Sequence, residues 1–306
     1  IGTRTHTERL PTTPEMEENA WQGVIVVKAP MAAGKTQRVG HPLAEWAAAQ
    51  GETLLAICHR VSLVTELATR LNLTHYSDVD ASTAYAATGL ATCLPSITKS
   101  AHASLIDRAS IVFIDEVAQV LRFIEAEKTC RTGEADNQGV YERLLEIVAA
   151  ARCVVVADAG VDRRTIEFLE SCRPGERFRV IEVTPPRDAG IAANYGYGAD
   201  SVSHAVGEAL AELTAGGKPW LSLESIDRAQ ALEHFFKTVM PGKRIIAIHA
   251  DNKDNKAQRD FLANADRESR KYDLVIASPV IGSGLSIEHR DKYDSDGNTI
   301  ETVPAQ

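Results

Sequence analysis

The sequence predicts two tandem α/β domains, each built on a parallel sheet with helices on both faces. Three observations carry the prediction. Short apolar runs alternate with helical patterns along most of the 306 residues, as parallel strands joined by crossover helices require. The alternation breaks once, at Pro185-Pro186 and the Gly/Ala/Tyr-rich stretch Gly190–Gly198, and then restarts. Pro and Gly in such density mark a connection between folded units. The length also suits two units of roughly 100–200 residues each. The expected organisation is a flexible N-terminal segment over 1–19, a first domain over 20–189 and a second over 190–306.

In the first domain, Val24–Val27 reads as a buried strand leading into a Gly/Lys/Thr turn. A helix with Val39, Leu43 and Trp46 on one face follows, and Gly40 and Pro42 inside it predict a kink or a late start. Thr53–Cys58 is the next strand, and a helix from about Ser62 stacks Leu63, Leu67 and Leu71. Residues 73–110 carry no clear pattern. Ile111–Ile114 is a strand, Gln138–Ala151 a helix and Cys153–Ala157 a further strand. Asp162 is placed to cap a helix through Leu169, and Val180–Val183 closes the set.

The second domain repeats the pattern. A helix bearing Val202, Val206, Leu210 and Leu213 ends at Gly216-Gly217, and the strand Trp220–Leu223 follows. The helix Ile226–Val239 stops at Pro241-Gly242 and leads to Ile245–His249. A helix centred on Phe261-Leu262 then leads to the strand Leu274–Ala277.

Composition narrows the function. Hydrophobic residues at 44 % and charged residues at 25 % are globular values, which excludes wholesale disorder. A formal charge of −9 argues against a generic electrostatic coat for nucleic acid, though not against a local basic channel. No window approaches 18 consecutive apolar residues, so no membrane span is expected. Residues 1–20 lack the apolar stretch of a signal peptide, and the initial Ile1 suggests a piece of a longer protein. The five cysteines (Cys58, Cys93, Cys130, Cys153, Cys172) are odd in number and scattered. They read as reduced core thiols of a cytoplasmic protein with no zinc-knuckle spacing.

The strongest chemical signal is the apolar strand running into Ala29-Pro30-Met31-Ala32-Ala33-Gly34-Lys35-Thr36. This is A-x-x-x-x-G-K-T, a phosphate-binding loop with Ala in place of its first Gly. Successive backbone N–H groups and the following helix N-terminus make an anion cradle. Lys35 is expected to reach the β/γ-phosphates and the Thr36 hydroxyl to complete Mg²⁺ coordination. The second signal is Ile111-Val112-Phe113-Ile114-Asp115-Glu116, an acidic pair closing an apolar strand. In nucleotide hydrolysis Asp115 holds Mg²⁺ through water, and Glu116 orients and deprotonates the attacking water. ATP and Mg²⁺ are the expected cofactors, with Lys35, Asp115 and Glu116 carrying the chemistry.

Together these motifs resemble superfamily 2 helicases, most closely the herpesvirus origin-binding protein and related plasmid and phage replication helicases. The A-P-M-x-x-G-K-T form at 29–36 is typical of that group. Cys58-His59-Arg60-Val61-Ser62-Leu63 resembles the family's motif Ia, Leu94-Pro95-Ser96 its motif Ib, Asp115-Glu116 motif II and Ala157-Asp158-Ala159 motif III. In the second domain Ser222 ends a strand as in motif IV, and Ser278–Ser286 resembles motif V. The resemblance spans about 22–288 and implies two RecA-like domains. It implies nucleic-acid contacts at Arg60, Ser96 and Ser283 and coupling residues at Asp158 and Gly284. Read without the resemblance, His59-Arg60 is an ordinary surface pair and Ser278–Ser286 a plain Gly/Ser turn. A loop rich in hydroxyls and backbone N–H groups suits phosphate contacts without base readout, and aromatics at only 6 % supply no evident stacking platform.

The implied function is an ATP-dependent DNA helicase or translocase in plasmid, phage or viral replication, in a bacterial or host cytoplasm. Its partners would be single-stranded or forked DNA and other replication proteins, with no membrane. One departure stands out. After Ser286 the chain runs through His289-Arg290-Asp291 into the polar tail Tyr293–Gln306, with no Q-x-x-G-R-x-x-R pattern for a motif VI. The second domain is therefore expected to be truncated and its arginine finger missing, which opens the alternative of a nucleotide-gated DNA-binding module. A thymidine-kinase-like enzyme is a further alternative: Pro30-Met31 and Asp115–Gln119 fit, whereas the usual four-cysteine zinc site is lacking.

Overall fold

The computed structural model describes residues 2–7, 10, 21–31, 33–80, 86–126, 129–130, 135–184, 194–278, 281, 287, 291–293 and 299–302. Two compact units result, Ile1–Ala189 and Gly190–Gln306.

The first unit is an eight-stranded parallel sheet. Its strands are β1 (Arg4–Thr7), β2 (Gly23–Lys28), β3 (Thr53–Cys58), β4 (Thr74–His75), β5 (Gly89–Cys93), β6 (Ala109–Asp115), β7 (Cys153–Asp158) and β8 (Arg179–Val183). They lie in the order β1-β8-β2-β7-β6-β3-β5-β4. The three strands β2, β7 and β6 carry Val/Ile/Phe runs that are fully buried, with less apolar residues confined to their ends. Strands covered on both faces read as continuous apolar runs rather than alternating ones. Helices α1 (His41–Ala49) and α2 (Val61–Leu71) pack Val39, Leu43, Leu67 and Leu71 on one face. The helices α3 (Ala103–Asp107), α4 (Val117–Glu125), α5 (Asn137–Ala150) and α6 (Arg163–Cys172) cover the other.

The predicted irregularity at Gly40-Pro42 is a π-helical turn over Thr36–Gly40, after which α1 begins at His41 with Pro42 in its first turn. Proline tolerates that position because its missing N–H has no partner there anyway. Gly40 is tightly seated: a Cβ would stand 3.2 Å from Leu71 and 3.3 Å from Phe113. Asp162 caps α6 by accepting the Thr165 N–H, as anticipated.

Three expectations need correction. Residues 4–7, placed in a flexible segment, form edge strand β1, paired in parallel with β8. Glu182 ties it down, bridging Arg4 at 3.3 Å and Lys28 at 3.3 Å. The unread stretch 73–110 holds β4, β5 and α3, with β5 wholly buried. The polar tail contains an antiparallel pair, β12 (Asp291–Tyr293) with β13 (Thr299–Thr302). Pro185-Pro186 and residues 190–193 of the Gly/Ala/Tyr-rich stretch lie outside the described residues.

The second unit carries a three-stranded parallel sheet in the order β10-β11-β9, from β9 (Trp220–Ser222), β10 (Ile245–Ile248) and β11 (Leu274–Ala277). Its helices are α7 (Ser201–Thr214), α8 (Ile226–Val239), α9 (Lys256–Ala263) and α10 (Ala265–Ser269). Leu213, Ala229 and Phe236 pack one face of the sheet and Phe261 and Ala265 the other. Arg244 clamps the lead-in to β10 against Asp273 before β11, with Nη2 3.1 Å from Oδ1 and Nε 3.2 Å from Oδ2.

Candidate functional site

The candidate site of the first unit gathers at the carboxyl ends of β2, β6 and β7. Strands β2 and β7 run in register to Lys28 opposite Asp158, and the Ala29 N–H donates to the Asp158 carbonyl at 3.1 Å. The chain then turns, with the Ala33 N–H reaching the Pro30 carbonyl at 3.3 Å. Gly34 has φ +77°, a left-handed conformation that a side chain disfavours. Lys35 follows and is nearly buried, at 9 % exposure. Its Nζ donates to the carbonyls of Ala29 at 3.2 Å and Pro30 at 3.1 Å. The ammonium is thus desolvated and aimed back into its own loop. Thr36 is half-buried at the start of the π turn, whereas Met31 projects into solvent. Ala32 lies outside the described residues.

Asp115 ends β6 and is 8 % exposed. Its Oδ1 accepts the Glu116 N–H at 3.1 Å. Burial, followed by the negative charge of Glu116, raises its pKa to about 7, with Lys35 and that N–H opposing the shift. Glu116 itself stands in the left-handed region at φ 56°, ψ 47°, immediately before α4. A non-glycine residue there costs roughly 1–2 kcal/mol, and this placement begins the helix one residue after the strand's acids. The Glu116 carboxyl is raised by burial and by the charge of Asp158, with Lys35 again opposing. Asp158 closes β7. Its Oδ2 accepts the Ala118 N–H at 2.8 Å and its Oδ1 the Gly160 N–H at 2.7 Å. One carboxylate therefore holds the leading turn of α4 and the loop after β7 together. Lys35, Asp115, Glu116 and Asp158 all lie within electrostatic reach in this cluster.

The predicted nucleic-acid residues fare differently. Arg60 is exposed and starts α2, its carbonyl accepting the Val64 N–H at 3.2 Å. The Cys58 thiol also bonds that carbonyl, at 3.3 Å. His59 is no surface residue: it is 6 % exposed, because alternation along the strand end turns its ring inward toward Phe123 of α4, centroids 6.2 Å apart. Ser96, expected at a nucleic-acid surface, is buried in the 3-10 turn Leu94–Thr98 that follows β5. Ser283 and Gly284 lie outside the described residues. In the second unit Ser222 ends β9 opposite Ala277, and the Ser278 N–H donates to the Ile248 carbonyl at 3.0 Å. His59 belongs to the motif Ia resemblance, but the sequence assigned it no role, and its burial one step beyond an apolar strand was not legible there.

The family model of the origin of replication binding protein matches residues 5–187, more than half of the chain. The chain belongs to the herpesvirus origin-binding protein family. This origin-binding family member is also 25 % identical, over 92 % of its length, to an uncharacterized protein of Picosynechococcus sp.. It spans 30 % of that relative's length. Among solved structures, S. cerevisiae Dbp5 bound to RNA and ADP BeF3 superposes with a TM-score of 0.59 at 12 % identity, covering 89 % of this chain and 69 % of Dbp5. The DUF1998 helicase MrfA bound to DNA and AMPPNP gives 0.57 at 15 % identity, covering 87 % of this chain and 40 % of MrfA. The fold of this origin-binding family member is accordingly that of superfamily 2 helicases, with tandem RecA-like parallel-sheet domains. Among the described residues, no helix is long and apolar enough to cross a membrane.

Proposed function

We propose that this chain is the core of an ATP-dependent DNA helicase or translocase acting in plasmid, phage or viral replication. The observation that carries the reading is the convergence of Lys35, after β2, with the acidic pair Asp115-Glu116, at the end of β6, on either side of β7. A buried ammonium facing its own loop carbonyls gains most when phosphate oxygens replace them, because charge-assisted hydrogen bonds are the stronger. The backbone N–H groups of the left-handed Gly34 and of Lys35 supply the anion cradle.

The residues present also fit Mg²⁺. Asp115 is a desolvated carboxylate whose neighbours hold it toward its protonated form, so a divalent cation is the partner that restores its charge. Thr36 and Asp115 would hold the ion, which when bound neutralises phosphate charge. Glu116 is raised toward working pH, which suits a general base that orients water and takes its proton. Arg60, exposed at the head of α2, supplies a contact to the phosphates of a single strand that carries no base information. The DNA-bound MrfA structure and membership of an origin-binding family support a DNA strand as partner.

The test is nucleotide turnover with and without single-stranded DNA. Turnover is expected to rise with the oligonucleotide and to fall by at least ~100-fold in Lys35→Ala. Turnover indifferent to nucleic acid would sink the translocase reading. Tight ATP-dependent DNA binding without turnover would instead support a nucleotide-gated binding module.

A further inference from the structure

His59 is a buried polar side chain with an unanswered hydrogen-bonding atom. Its Nδ1 has no partner among the described residues, although the ring is 6 % exposed. Leaving such an atom unpaired costs about 1–3 kcal/mol, so the arrangement is stable only against a compensating gain. Its surroundings narrow what that gain is. The ring faces the Phe123 ring of α4, and the next residue in the chain is the exposed Arg60. The carboxylate of Asp158 is near enough for its charge to act on the imidazole. Asp158 in turn grips the Ala118 N–H, two residues beyond Glu116, and its charge acts on Glu116. Arg60 and Asp158 thus both act on the His59 ring by charge, and Asp158 is hydrogen-bonded to the leading turn of α4. Burial also holds the ring neutral, down to about pH 4, so one ring nitrogen keeps a proton to donate throughout the working range.

We propose that His59 is a positioning residue linking the strand-contacting loop to the hydrolytic acid: with a strand held at Arg60, its Nδ1–H donates to Asp158 and fixes the α4 turn that carries Glu116. This inference rests on the proposed helicase reading and extends it. Without a strand, Nδ1 stands unpaired; with one, the bond sets Glu116 for hydrolysis. His59 touches neither nucleotide nor strand, so its effect belongs in the response of turnover to nucleic acid rather than in the affinity for either ligand.

The experiment compares wild type, His59→Asn, His59→Leu and His59→Phe in the full chain, measuring kcat and the KM for ATP at zero and saturating single-stranded oligonucleotide. Asparagine keeps an amide donor near the position of Nδ1; leucine and phenylalanine keep bulk without it. The expected result is a roughly tenfold loss of kcat at saturating oligonucleotide in both apolar variants. Half-saturating concentrations of ATP and oligonucleotide should stay within twofold, and His59→Asn should retain at least half of the stimulation. Two apolar variants guard against one failing to fold, and thermal melting identifies such a failure. Stimulation retained in the apolar variants would overturn the inference, as would a loss of equal size without oligonucleotide or an asparagine variant as impaired as the apolar ones. A wild-type enzyme that ignores the oligonucleotide would instead overturn the translocase reading on which it rests.

Discussion

Lys35 and Arg60 both follow carboxyl ends of strands in one sheet, yet their surroundings are opposite. Lys35 is nearly buried, bonded to two loop carbonyls and set near the two carboxylates of Asp115 and Glu116. Arg60 is in solvent at the head of α2. In a desolvated setting charge is worth several times its value at the surface, and salt screens it little. At the surface the same charge is cheap to place, screened by salt and free to slide along a phosphate chain. The pair shows how one sheet separates chemistry, which needs fixed and expensive charges, from tracking, which needs weak and replaceable ones.

Four substitutions or conditions sharpen that contrast, the first being the loss of turnover in Lys35→Ala. Next in size, Glu116→Gln should slow hydrolysis by about 10²-fold while nucleotide affinity stays within a few-fold, since only the base is lost. Single-turnover hydrolysis beside equilibrium nucleotide binding separates the two, and a comparable fall in both would break the assignment.

The pH response comes third. Asp115 has a folded-state pKa raised to about 7. Cation binding needs the carboxylate, so Mg²⁺-dependent nucleotide affinity should rise by about tenfold between pH 6 and pH 8. The sign for folding is opposite. A carboxyl raised above its unfolded value favours the native state only while protonated, and that advantage is lost as pH climbs toward 7. Asp115→Asn should therefore melt a few degrees higher than wild type at pH 8 while losing metal-dependent binding. A lower melting temperature at that pH would contradict the buried-charge account. Smallest of all, Arg60→Ala should weaken single-strand binding by a few-fold and lower the salt slope by about one, uniformly across sequences. Affinity titrations at several salt concentrations check both.

The same contrast explains what the sequence disclosed. The loop at 29–36 and the acids at 115–116 were legible because each directly follows a strand so apolar that nothing but burial accounts for it. Edge and near-edge strands lack that mark. Strand β1 is R-T-H-T, mostly exposed, and exists through its pairing with β8 and the Glu182 bridge. Strand β5 is G-L-A-T-C, and Gly89 is needed there because a Cβ would stand 2.5 Å from Leu73 and 2.8 Å from the Leu54 carbonyl. Such packing reasons involve distant residues and leave no periodic trace. For His59 and Ser96, polarity suggested surface, and only the course of the backbone turned them inward.

Strand order has a practical consequence. β1 lies at one edge of the sheet and β3, whose end bears Arg60, is five places away in the order β1-β8-β2-β7-β6-β3. At about 4.8 Å per strand, roughly 24 Å separates them. A fluorophore attached beside Arg4 would thus sit well clear of Arg60. It would still lie well within energy-transfer range of a dye on the DNA, so strand arrival could be timed without touching the machinery being timed.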